Sequence, residues 1–186
     1  VKKSLMVVDM PYKTYDTTTS ALKNAKKVLK ETNCDAVKLE GGRKVIKQIK
    51  LLIKNKIPVM GHLGLLPQSV KGKFKSKGKN DKEIKQLIND AHLLEKNGVF
   101  AIVLECVKTQ IAKKITHNLN IPTIGIGSSV HCDGQVLVTD DLLGLNQTKI
   151  KFVKKFLNIK KYINVGLKRY ASEVRSKKYP SKKHSY

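Results

Sequence analysis

The chain has 186 residues, of which 40% are hydrophobic and 28% charged, with only 12 Gly and 5 Pro. These values exclude a collagen-like, low-complexity or disordered chain and predict one folded domain with a substantial core. The formal net charge of +24 raises nucleic acid or an anionic membrane as a partner, but only three of the 38 basic residues are Arg, which favours a solvated lysine-rich surface.

Short apolar, β-branched segments alternate with longer amphipathic ones, which predicts repeated β-strand–α-helix units around a parallel sheet. The predicted strands comprise residues 4–9, 35–40, 57–62, 100–105, 121–127 and 134–139. The intervening helices have apolar residues at three- and four-residue spacing and comprise residues 17–32, 43–56, 81–98 and 109–120. Two more helices are predicted in the tail, over 149–158 and 160–178.

The cysteines and the apolar segments indicate the compartment. Cys34, Cys106 and Cys132 are an odd number without CxxC spacing, so neither a disulfide framework nor a zinc site is indicated. No apolar run approaches the roughly 20 residues that span a bilayer, and the N-terminus lacks the apolar segment of a signal peptide. We therefore expect a cytoplasmic chain in a reducing compartment.

Polar side chains stand at the end of each of the first four predicted strands. These are Asp9, Lys38, Glu40, His62 and Glu105. The carboxyl ends of parallel strands are where α/β proteins build their sites, so this pattern predicts an enzyme. A carboxylate at the end of an apolar strand is costly unless it is paired or metal-bound. Converging carboxylates therefore indicate a hard divalent cation such as Mg²⁺.

Simpler explanations exist for each of these residues and for two other candidates. Lys38 and Glu40 face the same side of a strand and could pair with neighbours at its edge, and a lone histidine such as His62 is more often a hydrogen-bonded strand-end residue than a catalyst. Cys106 has no nearby base in the sequence, which favours packing over a role as nucleophile. Residues 131–133 (His-Cys-Asp) are ligand types, but three adjacent residues cannot all face one ion.

Several motifs resemble, in order and spacing, those of the ketopantoate hydroxymethyltransferase (3-methyl-2-oxobutanoate hydroxymethyltransferase) family. They are VVDMPY (7–12), VKLEGG (37–42), VMGHLGLLPQSV (59–70), FAIVLECV (100–107), IPTIGIGSSVHCDGQVLVTDDLLG (121–144) and the closing YPSKKHSY (179–186). The resemblance runs over essentially the whole chain. It implies a (β/α)8 TIM barrel of the phosphoenolpyruvate/pyruvate type.

The same resemblance implies a reaction and its residues. The family transfers a hydroxymethyl group from 5,10-methylenetetrahydrofolate to 3-methyl-2-oxobutanoate, giving 2-dehydropantoate in pantothenate biosynthesis, and uses Mg²⁺. By position in the matching motifs, Asp9 and Glu40 would bind the metal. Asp9, Lys38 and His62 would bind the substrate. Glu105 would be the general base that forms a magnesium-stabilised enolate.

The chain also departs from the family pattern. A TIM barrel typically needs about 250 residues, so we expect residues 1–186 to form a single partial barrel domain, with strands 3 to 8 and the C-terminal helices but without the first two βα units. Those units carry an Asp-Ser pair that supplies another metal ligand. Residues 71–78 (KGKFKSKG) replace a glycine-rich segment of the family, which alters a loop on the folate side.

The expected partners are small molecules and further copies of the chain. The family forms homo-oligomers, decameric in many bacteria, and no specific nucleic acid and no membrane is expected. One alternative is another magnesium-dependent 2-oxo acid aldolase or lyase of the same barrel superfamily. An alternative from a different class is a basic nucleic-acid-binding protein, which the scarcity of Arg and of aromatic residues disfavours.

Overall fold

The computed structural model describes residues 4–70, 75–146 and 150–186. They form two compact units, the first ending at Val136 and the second beginning at Leu137. The expectation of one domain over the whole chain stays a prediction. Of the altered loop 71–78, residues 71–74 lie outside the described residues.

The first unit contains the parallel strands and the helices between them. Its strands are β1 (Val7–Asp9), β2 (Ala36–Glu40), β3 (Val59–Gly64), β4 (Ala101–Glu105), β5 (Thr123–Ile126) and β6 (Gly134–Gln135). Its helices are α1 (Thr18–Thr32), α2 (Ile46–Lys54) with a preceding 3-10 turn (Arg43–Val45), α3 (Asp81–Lys96) and α4 (Thr109–Asn118). The predicted alternation of strands and helices is therefore confirmed.

The strands form one sheet whose spatial order is the chain order, from β1 to β6, and every neighbouring pair is parallel. Crossovers between parallel strands are right-handed. When each crossover also advances by one strand in the same direction, all helices lie on one face and the sheet curls around the other. The result is an α/β fold with a curled, six-stranded parallel half-barrel. The predicted α/β class with a barrel-like parallel sheet is therefore confirmed.

The outer face of the half-barrel carries the hydrophobic core. Alternation along each strand points every second side chain outward, and these residues are buried against the helices. The buried set includes Val37, Leu39, Val59, Leu63, Ile102 and Leu104 from the strands and Ala25, Ile49, Leu52, Ala91, Leu94 and Ile115 from the helices. Packing on one face leaves the remaining, inward residues of each strand available for a site.

All six strands differ by at least one residue from their predicted bounds, and β1, predicted over 4–9, comprises only Val7–Asp9. For two of the strands the local reason is clear. The third strand was expected over 57–62 but runs from Val59 to Gly64, because Pro58 has no N–H for the ladder and Gly64, at φ +97°, ends the strand. The sixth was expected over 134–139 but comprises only Gly134–Gln135. Val138 already has the φ of −60° that precedes the next helix.

The second unit contains α5 (Thr139–Leu142) and α6 (Ile159–Arg175) and ends in a 3-10 turn (Lys182–His184). The predicted helix 160–178 is confirmed as α6. The predicted helix 149–158 is wrong over its described residues 150–158, which contain only a turn.

The physical reason is a conflict within the failed helix. Lys151 would face Lys154 and Lys155 at three- and four-residue spacing, and such like-charge pairs destabilise a short helix. The main-chain N–H groups of Phe156 and Leu157 instead donate to the carbonyl of Leu142. Among all the residues described, no helix combines the length and apolar composition that crossing a bilayer demands.

The N-terminus of α3 illustrates how a charged side chain fixes a loop. Asn80 is the N-cap and its side chain accepts a hydrogen bond from the Glu83 N–H, at 2.9 Å. Glu83 Oε2 in turn accepts from the N–H groups of Lys79 (3.0 Å) and Gly78 (3.1 Å). The hydrogen bond from Lys79, followed by that from Gly78, holds the pKa of Glu83 below its usual value.

We expect Leu104→Ala to destabilise the first unit by about 3 kcal/mol, because Leu104 is fully buried on the outer face and leaves a cavity there. Leu5→Ala is the matched control, since Leu5 is 61% exposed and its truncation should cost ~0.5 kcal/mol or less. Urea unfolding followed by circular dichroism measures both. Equal losses in the two variants would contradict the assignment of this face to the core.

We expect the stability lost in Glu83→Gln to depend on pH. A carboxyl whose pKa is lower in the folded state stabilises the fold above its unfolded pKa and stops doing so as the pH falls through its folded pKa. The variant should therefore be less stable than the original chain at pH 7, and the difference should shrink below about pH 4.5. The control is Glu31→Gln, whose carboxylate only lies 4.0 Å from Lys27. A difference that stays constant from pH 7 to pH 3 would refute the prediction.

Candidate active site

The register of the parallel ladders brings the polar strand ends together on the inner face. Asp9 of β1 pairs with Lys38 of β2, and Glu40 of β2 pairs with His62 of β3. Glu105 of β4 pairs with Gly64, two residues beyond His62 on the same strand. Residues two apart on a strand point to the same side, so all five polar side chains share this face.

These side chains form one connected group, which we name the strand-end cluster: Asp9, Lys38, Glu40, His62 and Glu105. Lys38 Nζ lies 3.0 Å from Asp9 Oδ1 and 3.4 Å from His62 Nδ1. The same Nδ1 is 3.9 Å from Glu40 Oε1, and His62 Nε2 is 3.3 Å from Glu105 Oε2. The structure therefore brings together every site residue that the sequence predicted.

His62 is the centre of the cluster and is only 1% exposed. On one side of the ring, Nδ1 lies between the Lys38 ammonium at 3.4 Å and the Glu40 carboxylate at 3.9 Å. Nε2 lies 3.3 Å from Glu105 Oε2 without forming a hydrogen bond, and it has no other partner in the part of the chain that the structure describes. A buried polar atom without a partner is costly, which makes this position suited to a ligand or a small movement of Glu105.

Glu40 is a buried carboxyl in a mixed environment. Burial raises its pKa above the usual value. His62, the N–H of Gln68 and Lys38 act in the opposite direction, and the charge of Glu105 adds to the increase. Gln68 N donates to Glu40 Oε2 at 3.2 Å. Glu40 is thus held in place by the chain, while burial disfavours its charged form.

The donor set of the cluster suits a hard divalent ion. Asp9, Glu40 and Glu105 bring three carboxylates against the single ammonium of Lys38, so the ionised cluster has excess negative charge. Within the described ranges, no group of three or more His, Cys, Asp or Glu side chains is arranged to hold a metal. Mg²⁺ needs no such cage, because it binds through one or two carboxylates and fills its other positions with water or substrate oxygens. Asp9 and Glu40 supply two carboxylates on neighbouring strands at the same edge of the sheet.

The chain crosses over the end of β4 directly beside Glu105. Leu65 N donates to the carbonyl of Glu105 at 2.8 Å. Gly64, at φ +97°, permits this approach, because a Cβ there would clash with that same carbonyl. Cys106 follows with a positive φ of 52°, a conformation that is uncommon for residues with a side chain. The main chain on both sides of Glu105 is therefore tightly constrained.

The remaining candidates have structural roles. Burial and, secondly, the charge of Glu105 raise the pKa of the Cys106 thiol, so Cys106 is not an activated nucleophile. In the segment 131–133, His131 is exposed and Cys132 is buried in the core. Asp133 Oδ2 accepts from Thr123 N and Thr123 Oγ1, at 2.8 and 3.1 Å, and so fixes the start of β5.

The structure also shows residues that the sequence reasoning missed. Gln68 and Tyr15 lie against the strand-end cluster, linked by a 3.4 Å contact between Tyr15 Oη and Gln68 Oε1. Both belong to loops at the same end of the sheet. The available signal was the position of Gln68 shortly after β3, within the motif GHLGLLPQSV, but a neutral amide gives no charge pattern that distinguishes it from an ordinary loop residue.

A parallel half-barrel with carboxylates, a lysine and a histidine at the carboxyl ends of its strands defines an α/β enzyme. A sequence profile described as ketopantoate hydroxymethyltransferase matches residues 1–182. The chain belongs to the ketopantoate hydroxymethyltransferase family, which confirms the resemblance seen in its motifs.

Individual relatives agree with the family assignment. The 3-methyl-2-oxobutanoate hydroxymethyltransferase of Pelagibacter ubique (strain HTCC1062) is 61% identical over 186 residues, covering 100% of this chain and 72% of the relative. The protein of the same name from Clostridium botulinum (strain 657 / Type Ba4) is 48% identical, covering 98% and 68%. That of Clostridioides difficile (strain 630) is also 48% identical, covering 100% and 69%.

We expect a double-mutant cycle with Asp9→Asn and Lys38→Met to give a coupling free energy of about 1 kcal/mol, measured by urea unfolding in EDTA. The Lys38 side chain is only 17% exposed, while that of Asp9 is 57% exposed, so solvent screens the pair only in part. The matched control is Lys27 with Glu31, whose side chains are 67% and 61% exposed and 4.0 Å apart. A coupling no larger than that of the control pair would contradict a specific contact in the strand-end cluster.

Proposed function

We propose that this chain transfers a hydroxymethyl group from 5,10-methylenetetrahydrofolate to 3-methyl-2-oxobutanoate and produces 2-dehydropantoate for pantothenate biosynthesis. The observation that carries the proposal is the strand-end cluster, in which a lysine and three carboxylates meet at the carboxyl edge of a parallel half-barrel. The cluster belongs to a chain of the ketopantoate hydroxymethyltransferase family.

Asp9 and Glu40 would hold Mg²⁺, and Asp9 would also border the substrate. When bound there, the ion supplies Lewis-acid chemistry that polarises the 2-oxo carbonyl and makes the proton on C3 more acidic. Lys38 Nζ, already oriented by Asp9 at 3.0 Å, places a positive charge beside the carboxylate and the developing enolate oxygen of the substrate. Fixed charges of this kind stabilise the transition state without reorganisation.

Glu105 is proposed as the general base. Its side chain is 13% exposed and ends in the space next to His62 Nε2, so it reaches the inner face while staying largely shielded from water. Glu105 removes the proton from C3 of 3-methyl-2-oxobutanoate and leaves the electron pair as an enolate. His62 borders the same space and contributes to the substrate pocket.

The one-carbon transfer then completes the reaction. C3 of the enolate forms a bond to the methylene carbon of the folate, and this carbon exchanges its two bonds to folate nitrogens for one to C3 and one to a hydroxyl derived from water. The folate nitrogens take up one proton from water and the one that Glu105 removed. The folate-side loop 71–78 differs from the family, and its contribution stays a prediction because residues 71–74 lie outside the described part.

The finer features of the fold and assembly are part of the same proposal. We propose that β1 to β6 correspond to strands 3 to 8 of a (β/α)8 barrel, because their uninterrupted sequential order is that of a barrel rather than of a doubly wound sheet. A homo-oligomer, with the decamer of the family as the expected form, and a cytoplasmic location complete the proposal.

The test is exchange of the C3 proton of 3-methyl-2-oxobutanoate with deuterium in the presence of Mg²⁺, followed by proton NMR. We expect Glu105→Gln to slow this exchange by about 10²- to 10⁴-fold, because it removes the general base, while Mn²⁺ binding measured by electron paramagnetic resonance is retained. Glu31→Gln, an exposed change of the same kind, should exchange as fast as the original chain.

Two outcomes would overturn the proposal at different points. Undiminished exchange in Glu105→Gln would exclude Glu105 as the base. Absence of magnesium-dependent exchange in the original chain, with no 2-dehydropantoate formed from the two substrates, would exclude the proposed reaction itself for this chain.

A further inference from the structure

We infer that Gln68 is a positioning residue that holds the chain segments bearing Asp9 and Glu40 at a fixed separation for a divalent cation. The inference rests on the proposed function, which places the cation between these two carboxylates. It assigns to the loop after β3 a second hold on these segments, through the Glu40 carboxylate and through the main chain that follows Asp9.

Gln68 makes three contacts, and each reaches a different part of the site. Its main-chain N–H donates to Glu40 Oε2 at 3.2 Å. Its side-chain Nε2 donates to the carbonyl of Met10 at 3.1 Å, and its Oε1 lies 3.4 Å from Tyr15 Oη, which donates to it. Both the oxygen and the nitrogen of the Gln68 amide therefore have a partner, and these two partners set the orientation of the amide.

The contact with Met10 acts directly on Asp9, its neighbour in the chain. Met10 N donates to the carbonyl of Lys38 at 3.0 Å, so both polar groups of Met10 are fixed, one by β2 and the other by Gln68. The Met10 side chain is 1% exposed and anchors the segment in the core. Losing the Gln68 amide would free the Met10 carbonyl and loosen the end of β1, where Asp9 lies.

The loop that carries Gln68 is itself anchored at the main chain of Glu105. Leu65 N donates to the carbonyl of Glu105 at 2.8 Å, and Ser69 N closes a turn onto the carbonyl of Leu66 at 3.0 Å. One short loop therefore contacts the strand ends of Asp9, Glu40 and Glu105. A change in this loop would alter their mutual distances, whereas a change elsewhere in the core would not act on all three.

The side-chain amide of Gln48 holds the main chain of Tyr15 in place. Gln48 of α2 is buried, and its Nε2 donates to the carbonyls of Tyr15 and Asp16, at 3.1 and 3.2 Å. Tyr15 is 7% exposed, so its hydroxyl is held toward Gln68. This arrangement is a supporting shell of hydrogen bonds around metal ligands, and loss of such a shell typically weakens metal binding about 10- to 100-fold.

The test is titration of the chain with Mn²⁺ as a probe for the divalent site, with free Mn²⁺ measured by electron paramagnetic resonance. We expect Gln68→Met, which keeps the length of the side chain but removes its hydrogen bonds, to weaken Mn²⁺ binding about 10-fold or more. Tyr15→Phe should weaken it by a smaller factor, since it removes only one partner of Gln68. The matched control is Gln110→Met on the exposed face of α4, which should bind as the original chain does.

A purely structural role for Gln68 predicts a different result. Thermal unfolding in EDTA is measured for the same variants, and a lower melting temperature with Mn²⁺ affinity within twofold of the original chain would overturn the inference. If Gln68→Met does not fold, Tyr15→Phe decides in its place: unchanged Mn²⁺ affinity in that variant would overturn the inference equally.

Two reference variants, Asp9→Asn and Glu40→Gln, are titrated with Mn²⁺ in the same way. They separate this inference from the proposed function. If the original chain binds Mn²⁺ and both references lose it while Gln68→Met binds normally, only the positioning role is wrong. If the original chain shows no saturable Mn²⁺ binding, or the references bind unchanged, the cation site fails and the positioning role fails with it.

Discussion

The parallel register of β1 to β4 is the constraint on which the rest of the structure depends. It aligns Asp9 with Lys38 and Glu40 with His62, and it places Glu105 on the neighbouring strand at the same edge. A shift of one residue in any ladder would turn a charged side chain toward the helices and an apolar one toward the inner face. The hydrophobic packing of Val37, Leu39 and other outward residues therefore also determines where the polar residues point.

The strand-end cluster contains more negatively than positively charged groups. The Lys38 ammonium and the His62 imidazole face three carboxylates, and among the described residues His62 Nε2 has no hydrogen-bond partner. Folding stability alone would favour fewer charges here, since unpaired buried charge is costly. Burial of the apolar core on the outer face offsets the free-energy cost of these charges. A site of this kind gains its full set of interactions only when ligands are present.

Much of this arrangement could be predicted from the sequence. Short apolar segments separated by amphipathic ones predicted the strands. Polar residues at the ends of these segments predicted the members of the cluster, because parallel strands bring their carboxyl ends together. Local sequence patterns gave wrong predictions where two structural tendencies compete in the same segment. Residues 150–158 have helical periodicity but closely spaced lysines, and residues 136–139 are β-branched in part but lead into α5. Gln68 could not be recognised, since its importance arises from contacts with Met10 and Tyr15, 58 and 53 residues away in the chain.

The agreement between chain order and strand order has a consequence for how the first unit folds. Each strand pairs only with the strand before and the strand after it, so the contacts that complete the sheet span little more than one βα unit. Loop-closure entropy is then lost in small, similar steps, and the molecule resembles a repeat protein whose units stack on their neighbours. Asp9 lies on β1 at one end of the sheet, so it joins the strand-end cluster only through the pairing of β1 with β2.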